Sequence, residues 1–82
     1  GGAADAGEVF LDAAAQVLGM PRDRLDLRRT LRAYGIDSVT AAQLRGRVRR
    51  ETGQDIGLVR LLGGDTLRSL ATEVSAARSA GG

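Results

Sequence analysis

Four short apolar stripes at helical spacing, none long enough to form a stable helix alone, constrain this chain more than anything else in its sequence. Between Glu8 and Leu18, the residues Phe10, Ala13, Ala14, Val17 and Leu18 recur at i, i+3, i+4, i+7 and i+8, the buried face of an amphipathic helix. Gly19 and Pro21 then stop it. A second helix is predicted from Ser38 to about Thr52, with Ala41, Leu44 and Val48 on one face and Gly53 as its left-handed stop. Ile56, Leu58, Val59, Leu61 and Leu62 predict one buried turn ended by Gly63 and Gly64. Asp65 or Thr66 then caps a last helix with Leu67, Leu70, Ala71 and Val74 on one face.

No segment alternates apolar and polar residues long enough to make a strand. The predicted fold is therefore all-α, a four-helix bundle of three main helices plus one short helix, closed on a single core. Small residues on the first stripe, such as Ala13 and Ala14, imply close helix approach. The stretch from Arg22 to Asp37 has no sustained period and reads as a long first loop pinned by Leu25, Leu27, Leu31 and Tyr34. A loop of that length in so small a domain is often functional.

At 82 residues the chain has room for one core. Residues 1–6 and 78–82, rich in Gly and Ala, read as linker-like ends around a domain at 7–77, and favour an excised domain over a discrete protein. Absence of Cys and His excludes the usual zinc sites, thiol nucleophiles and imidazole bases together. No apolar run approaches the roughly 20 residues of a membrane span, and no signal-peptide pattern is present, so the expected location is the cytoplasm. All twelve basic residues are Arg, but acids share their segments and the net charge is only +2. That is no bulk nucleic-acid footprint.

Tyr34-Gly35-Ile36-Asp37-Ser38-Val39 sets a hydroxyl at the first turn of the second helix, directly after a flexible Gly and an acid. On these residues alone, Asp37 is an N-cap and Ser38 an ordinary first-turn residue. A phosphodiester on Ser38 is also well placed, because the N–H groups at a helix start are unpaired and the dipole favours negative charge. Serine hydrolysis needs a base, and the chain has neither His nor Lys.

Gly35-Ile36-Asp37-Ser38 resembles the G-x-D-S signature of acyl and peptidyl carrier proteins, and it opens the second helix as in that family. Val17-Leu18-Gly19 and Leu31-Arg32-Ala33-Tyr34 resemble its upstream segments, and Thr66-Leu67 with Leu70-Ala71 the start of its last helix. Ala41-Ala42-Gln43-Leu44-Arg45 is similar to the carriers of polyketide synthases, and the likeness spans about residues 8–76. Two departures are Val39, where the family more often has Leu, and Gly64-Asp65-Thr66, where many members have Pro before the Thr.

The resemblance implies a non-catalytic acyl carrier domain. A phosphopantetheinyl transferase would attach 4'-phosphopantetheine from coenzyme A to Ser38, and the arm would hold acyl groups as thioesters for ketosynthase, acyltransferase and other synthase domains. By the same resemblance Gly35 and Asp37 belong to the motif, with Asp37 read either as cap or as a transferase recognition residue. Val39, Ala42, Gln43 and Gly46 would form the partner face, although Gly46 fits a close approach to the core equally well. Arg45, Arg47, Arg49 and Arg50 read as a solvated face pairing with Glu51 or Asp55, or as a patch that steers acidic partners. A monomer is expected. A peptidyl carrier of a peptide synthetase is the near alternative, and a small helical nucleic-acid-binding domain, revealed by salt-sensitive DNA affinity, the remote one.

Overall fold

The computed structural model describes the backbone of residues 5–81 and the side chains of residues 5–76; of the ends expected to be linkers, residues 1–4 and 82 lie outside the described residues, whereas Ala6 opens the first helix and residues 78–81 continue the last. Four helices carry the fold: α1 (Ala6–Leu18), α2 (Ser38–Thr52), α3 (Leu58–Leu61) and α4 (Leu67–Gly81). No strand occurs among the described residues, as the sequence predicts, and one isolated bridge joins Thr30 to Thr66. Helix α1 is the centre of the bundle and packs against both α2 and α4. This is why Ala13, Ala14 and Ala15 are all buried, for small side chains let two helices approach a third. Phe10 and Leu11 fill the remaining space on α1.

The first helix ends as Gly19 predicts. Gly19 adopts φ 72°, its N–H donates to Gln16 O at 3.2 Å, and Met20 N–H donates to Ala15 O at 3.0 Å. These bonds form the paired closure in which a left-handed glycine satisfies the last carbonyls of a helix. At the other end of α1, Gly7 sets the spacing of the bundle. A Cβ on Gly7 would lie 2.7 Å from the backbone oxygen of Ala71 in α4. Gly7→Ala therefore forces α1 and α4 apart. A loss of about 1–3 kcal/mol is expected, despite the better helix propensity of Ala, and thermal denaturation followed by circular dichroism measures it.

The loop between α1 and α2 is ordered by two short turns, Arg22–Arg24 and Arg32–Tyr34, and by the buried side chains of Leu25 and Leu31. Its backbone also supports α4. Leu67 N–H donates to Arg29 O and Arg68 N–H to Leu27 O, both at 2.9 Å, while Thr66 Oγ1 accepts from Ser69 N–H at 3.1 Å. Three of the N–H groups that a helix start leaves unpaired are thus satisfied, and Thr66 is the cap. Tyr34 is half-buried as expected of an anchor, and its hydroxyl accepts the Asp26 N–H at 2.7 Å.

Leu67, Leu70, Ala71 and Val74 bury the predicted face of α4, and Ala41, Leu44 and Val48 that of α2. The third segment departs from expectation. Leu61 is buried, but Val59 is 84% exposed. Leu58, Leu61 and Leu62 occupy the inward side of this single turn at i, i+3 and i+4, which leaves Val59 on the outside. Arg60 ties the turn to α4 by meeting both Asp65 and Glu73.

Candidate functional site

The site is built by four consecutive residues with separate tasks. Gly35 closes the Arg32–Tyr34 turn with φ 83°, a left-handed conformation that a side chain would strain, and its N–H donates to Arg32 O at 2.9 Å. Ile36 then turns inward against the core, and its N–H donates to Leu31 O at 3.3 Å. Asp37 takes an extended conformation at the N-cap of α2, where its carboxylate accepts the Thr40 N–H at 2.7 Å and its carbonyl accepts the Ala41 N–H at 2.8 Å. Ser38 follows as the first helical residue and is exposed. No hydrogen bond holds its hydroxyl among the described residues.

The electrostatics are those of a helix start. The Thr40 N–H holds the Asp37 carboxyl below its usual value of 3.8, so the cap is anionic at neutral pH. A carboxylate with a depressed folded-state value stabilises the fold above the unfolded value and loses that contribution as pH falls through the folded one. Stability is therefore expected to decline on acidification below about pH 4. Asp37→Asn keeps a capping oxygen but removes this titration. Its melting temperature should fall less steeply with acid than that of the wild type, as read by thermal scans across pH.

Among the described residues the Ser38 hydroxyl makes no hydrogen bond to a group that could take its proton. No cluster of His, Cys, Asp or Glu able to hold a metal occurs among the described residues. What the arrangement offers is an accessible, unengaged hydroxyl on a fixed helix end. That suits a residue modified by another protein. An anionic group there meets the positive end of the α2 dipole.

The residues expected on the partner face separate into two places. Val39 is 66% exposed beside Ser38. Ala42, Gln43 and Gly46 instead line a groove of about 580 Å³ with Gln16, Val17, Arg47 and Arg50, between α1 and α2. A Cβ on Gly46 would meet nothing within 4 Å, so a close approach to the core does not account for this glycine. Of the arginines, Arg45 pairs with Asp55 through Nε at 2.7 Å, the partner expected, and Arg47 donates to Gln16 Oε1. Arg45 in turn holds the Asp55 carboxyl low. Exposed Val59 is not anticipated by the sequence, which groups it with the buried residues of this turn.

A family described as Phosphopantetheine attachment site matches residues 8–74. The chain belongs to that family of non-catalytic carrier domains, whose members bear a covalently attached 4'-phosphopantetheine. It is also similar to highly reducing polyketide synthase valA of Aspergillus terreus, 30% identical over 69 residues, which are 84% of this chain and 3% of that protein. Highly reducing polyketide synthase 19 of Pyricularia oryzae is 33% identical over 76 residues, 93% of this chain and 3% of that protein. Hybrid PKS-NRPS synthetase pynA of Aspergillus niger is 33% identical over 66 residues, 80% of this chain and 2% of that protein. The chain therefore spans only about 3% of the length of such relatives. Among the described residues no helix is long and apolar enough to cross a membrane.

Proposed function

We propose that Ser38 is the attachment point of the 4'-phosphopantetheine arm and that the domain carries polyketide intermediates as thioesters for the catalytic domains of a synthase. The single observation that carries the assignment is the exposed, unengaged Ser38 hydroxyl at the start of α2, beside the Asp37 cap. When bound, the arm supplies a terminal thiol. The chain's own residues do the rest: Gly35 and Ile36 fix the approach to the helix, Asp37 holds its first turn, and Ser38 presents the oxygen that joins the phosphodiester.

Asp37 also serves the phosphopantetheinyl transferase as a recognition residue, its ionised carboxylate being exposed next to the acceptor hydroxyl. Ketosynthase and acyltransferase domains meet the α2 side, where Val39, Ala42, Gln43 and Gly46 are exposed. Tethering replaces bimolecular encounter with a high effective concentration at each of these partners. The polyketide assignment rests on the named relatives and on Gln43-Leu44-Arg45. The carrier unit takes in the four helices from Ala6 to Gly81; it works as a monomer in the cytoplasm.

The test is intact-protein mass after incubation with coenzyme A, magnesium and a broad-specificity phosphopantetheinyl transferase, followed by peptide mapping. One phosphopantetheine located on Ser38 is the expected result. A folded chain that gains none with several transferases, or gains it elsewhere, removes the assignment.

A further inference from the structure

The groove between α1 and α2 holds guanidinium groups that the domain itself does not neutralise. Arg22, Arg28, Arg29, Arg45 and Arg60 each meet a carboxylate. Arg47 instead donates to the neutral amide oxygen of Gln16, and exposed Arg50 has no ion pair among the described residues; Arg24, Arg32, Arg49 and Arg68 have none either, but only Arg47 and Arg50 line the groove. No acid lines the groove, and Glu8 and Asp12 of α1 are engaged by Arg22, and Asp55 by Arg45. Glu51 follows Arg50 in the chain and pairs with neither arginine.

The shape of the groove adds to its charge. Val17, Ala42 and Gly46 line it, and beyond the backbone of the helix itself and the adjacent residues nothing lies within 4 Å of where a Gly46 side chain would begin. Gln16 and Gln43 also line it. At about 580 Å³ the space admits several side chains of a polypeptide. It contains no aromatic residue on which a nucleotide base could stack. Bidentate guanidinium bonds to carboxylates are among the stronger and more directional polar contacts a surface can make.

We propose that this groove receives an acidic polypeptide segment of a partner domain, with two of its carboxylates on Arg47 and Arg50 and its backbone close over Gly46. The inference rests on the reading of α2 as the docking helix, and adds the charge of the partner and the side from which it enters. Charge complementarity selects the occupant: a basic or neutral segment would leave both guanidiniums uncompensated under the contact, a cost the acidic segment avoids.

The experiment is a titration of the full 82-residue chain, labelled with nitrogen-15, followed by amide chemical shifts. The probes are a synthetic decapeptide mixing Asp, Glu, Leu and Ala, the same peptide with Asn and Gln in place of its acids, and a DNA duplex of matched charge. Shifts should appear at Gln16, Gln43, Gly46, Arg47 and Arg50 with the acidic peptide and not with its neutral counterpart. The double variant Arg47→Gln, Arg50→Gln should weaken the apparent Kd about tenfold or more. Raising ionic strength from about 0.1 to 1 M, which shortens the screening length from about 10 to 3 Å, should weaken it comparably. Shifts shared equally by Arg24, Arg28 and Arg32, unchanged binding in the double variant, absence of groove shifts, or tighter groove binding by the duplex would each overturn the proposal. Arm uptake is measured on the same two proteins. A wild type that takes up no arm counts against the Ser38 assignment, whereas normal uptake without groove shifts counts against the groove alone.

Discussion

Ser38→Ala is expected to abolish uptake of phosphopantetheine while leaving the helical circular dichroism and the melting temperature of the domain unchanged. The two halves of this result have separate causes. Uptake requires an oxygen that can become a phosphodiester, and alanine has none. Stability is spared because Ser38 is exposed and its hydroxyl makes no hydrogen bond among the described residues, and because the capping of α2 is performed by Asp37 and not by the serine. Exposed substitutions away from caps and networks usually stay within about 0.5 kcal/mol, and alanine is the best helix former. Intact-protein mass and a thermal scan on one sample read both. If the variant still gained the arm, another hydroxyl would be the acceptor; if it failed to fold, its lack of uptake would carry no weight, and Ser38→Cys would serve as a second, size-matched variant.

The second large effect lies in the core. Phe10→Ala should lower stability by about 3–5 kcal/mol, against a total of about 4–12 kcal/mol expected for a domain of this length. Phe10 is fully buried on the central helix and is the only phenylalanine of the chain. The surrounding core is Leu, Val and Ala, whose side chains relax only partly around a void. A urea titration should show the midpoint collapsing, with Phe10→Leu recovering most of the loss. An undiminished midpoint in the alanine variant would mean that α1 does not occupy the centre of the bundle.

How much of this was legible in the sequence follows from how local each signal is. The Gly35-Ile36-Asp37-Ser38 arrangement was readable because each task is settled within four residues: a left-handed turn, an inward apolar side chain, a cap and the residue after it. The faces of α1, α2 and α4 were readable because each runs long enough for its period to declare itself. Val59 was misjudged because α3 has only four residues, too few for hydrophobic density to reveal a side. The contact of Gly7 with Ala71 and the bond to the Tyr34 hydroxyl were hidden for a different reason. Each depends on where a distant or irregular segment of backbone passes, and backbone carries no residue-specific mark.

The carbonyls of Leu27 and Arg29, which accept the first two N–H groups of α4, have a consequence for recombination among carrier domains. Residues 27–29 and 66–68 are covalently remote yet form one structural joint. A hybrid that takes its first loop from one parent and its last helix from another keeps its hydrophobic stripes and still risks a mismatched seam, with orphaned amides at the helix start. Crossovers placed at Gly19 or Gly53 differ in this respect. A switch at Gly19 inherits loop and last helix together from one parent, whereas a switch at Gly53 divides them, so the earlier glycine is the safer border for exchange.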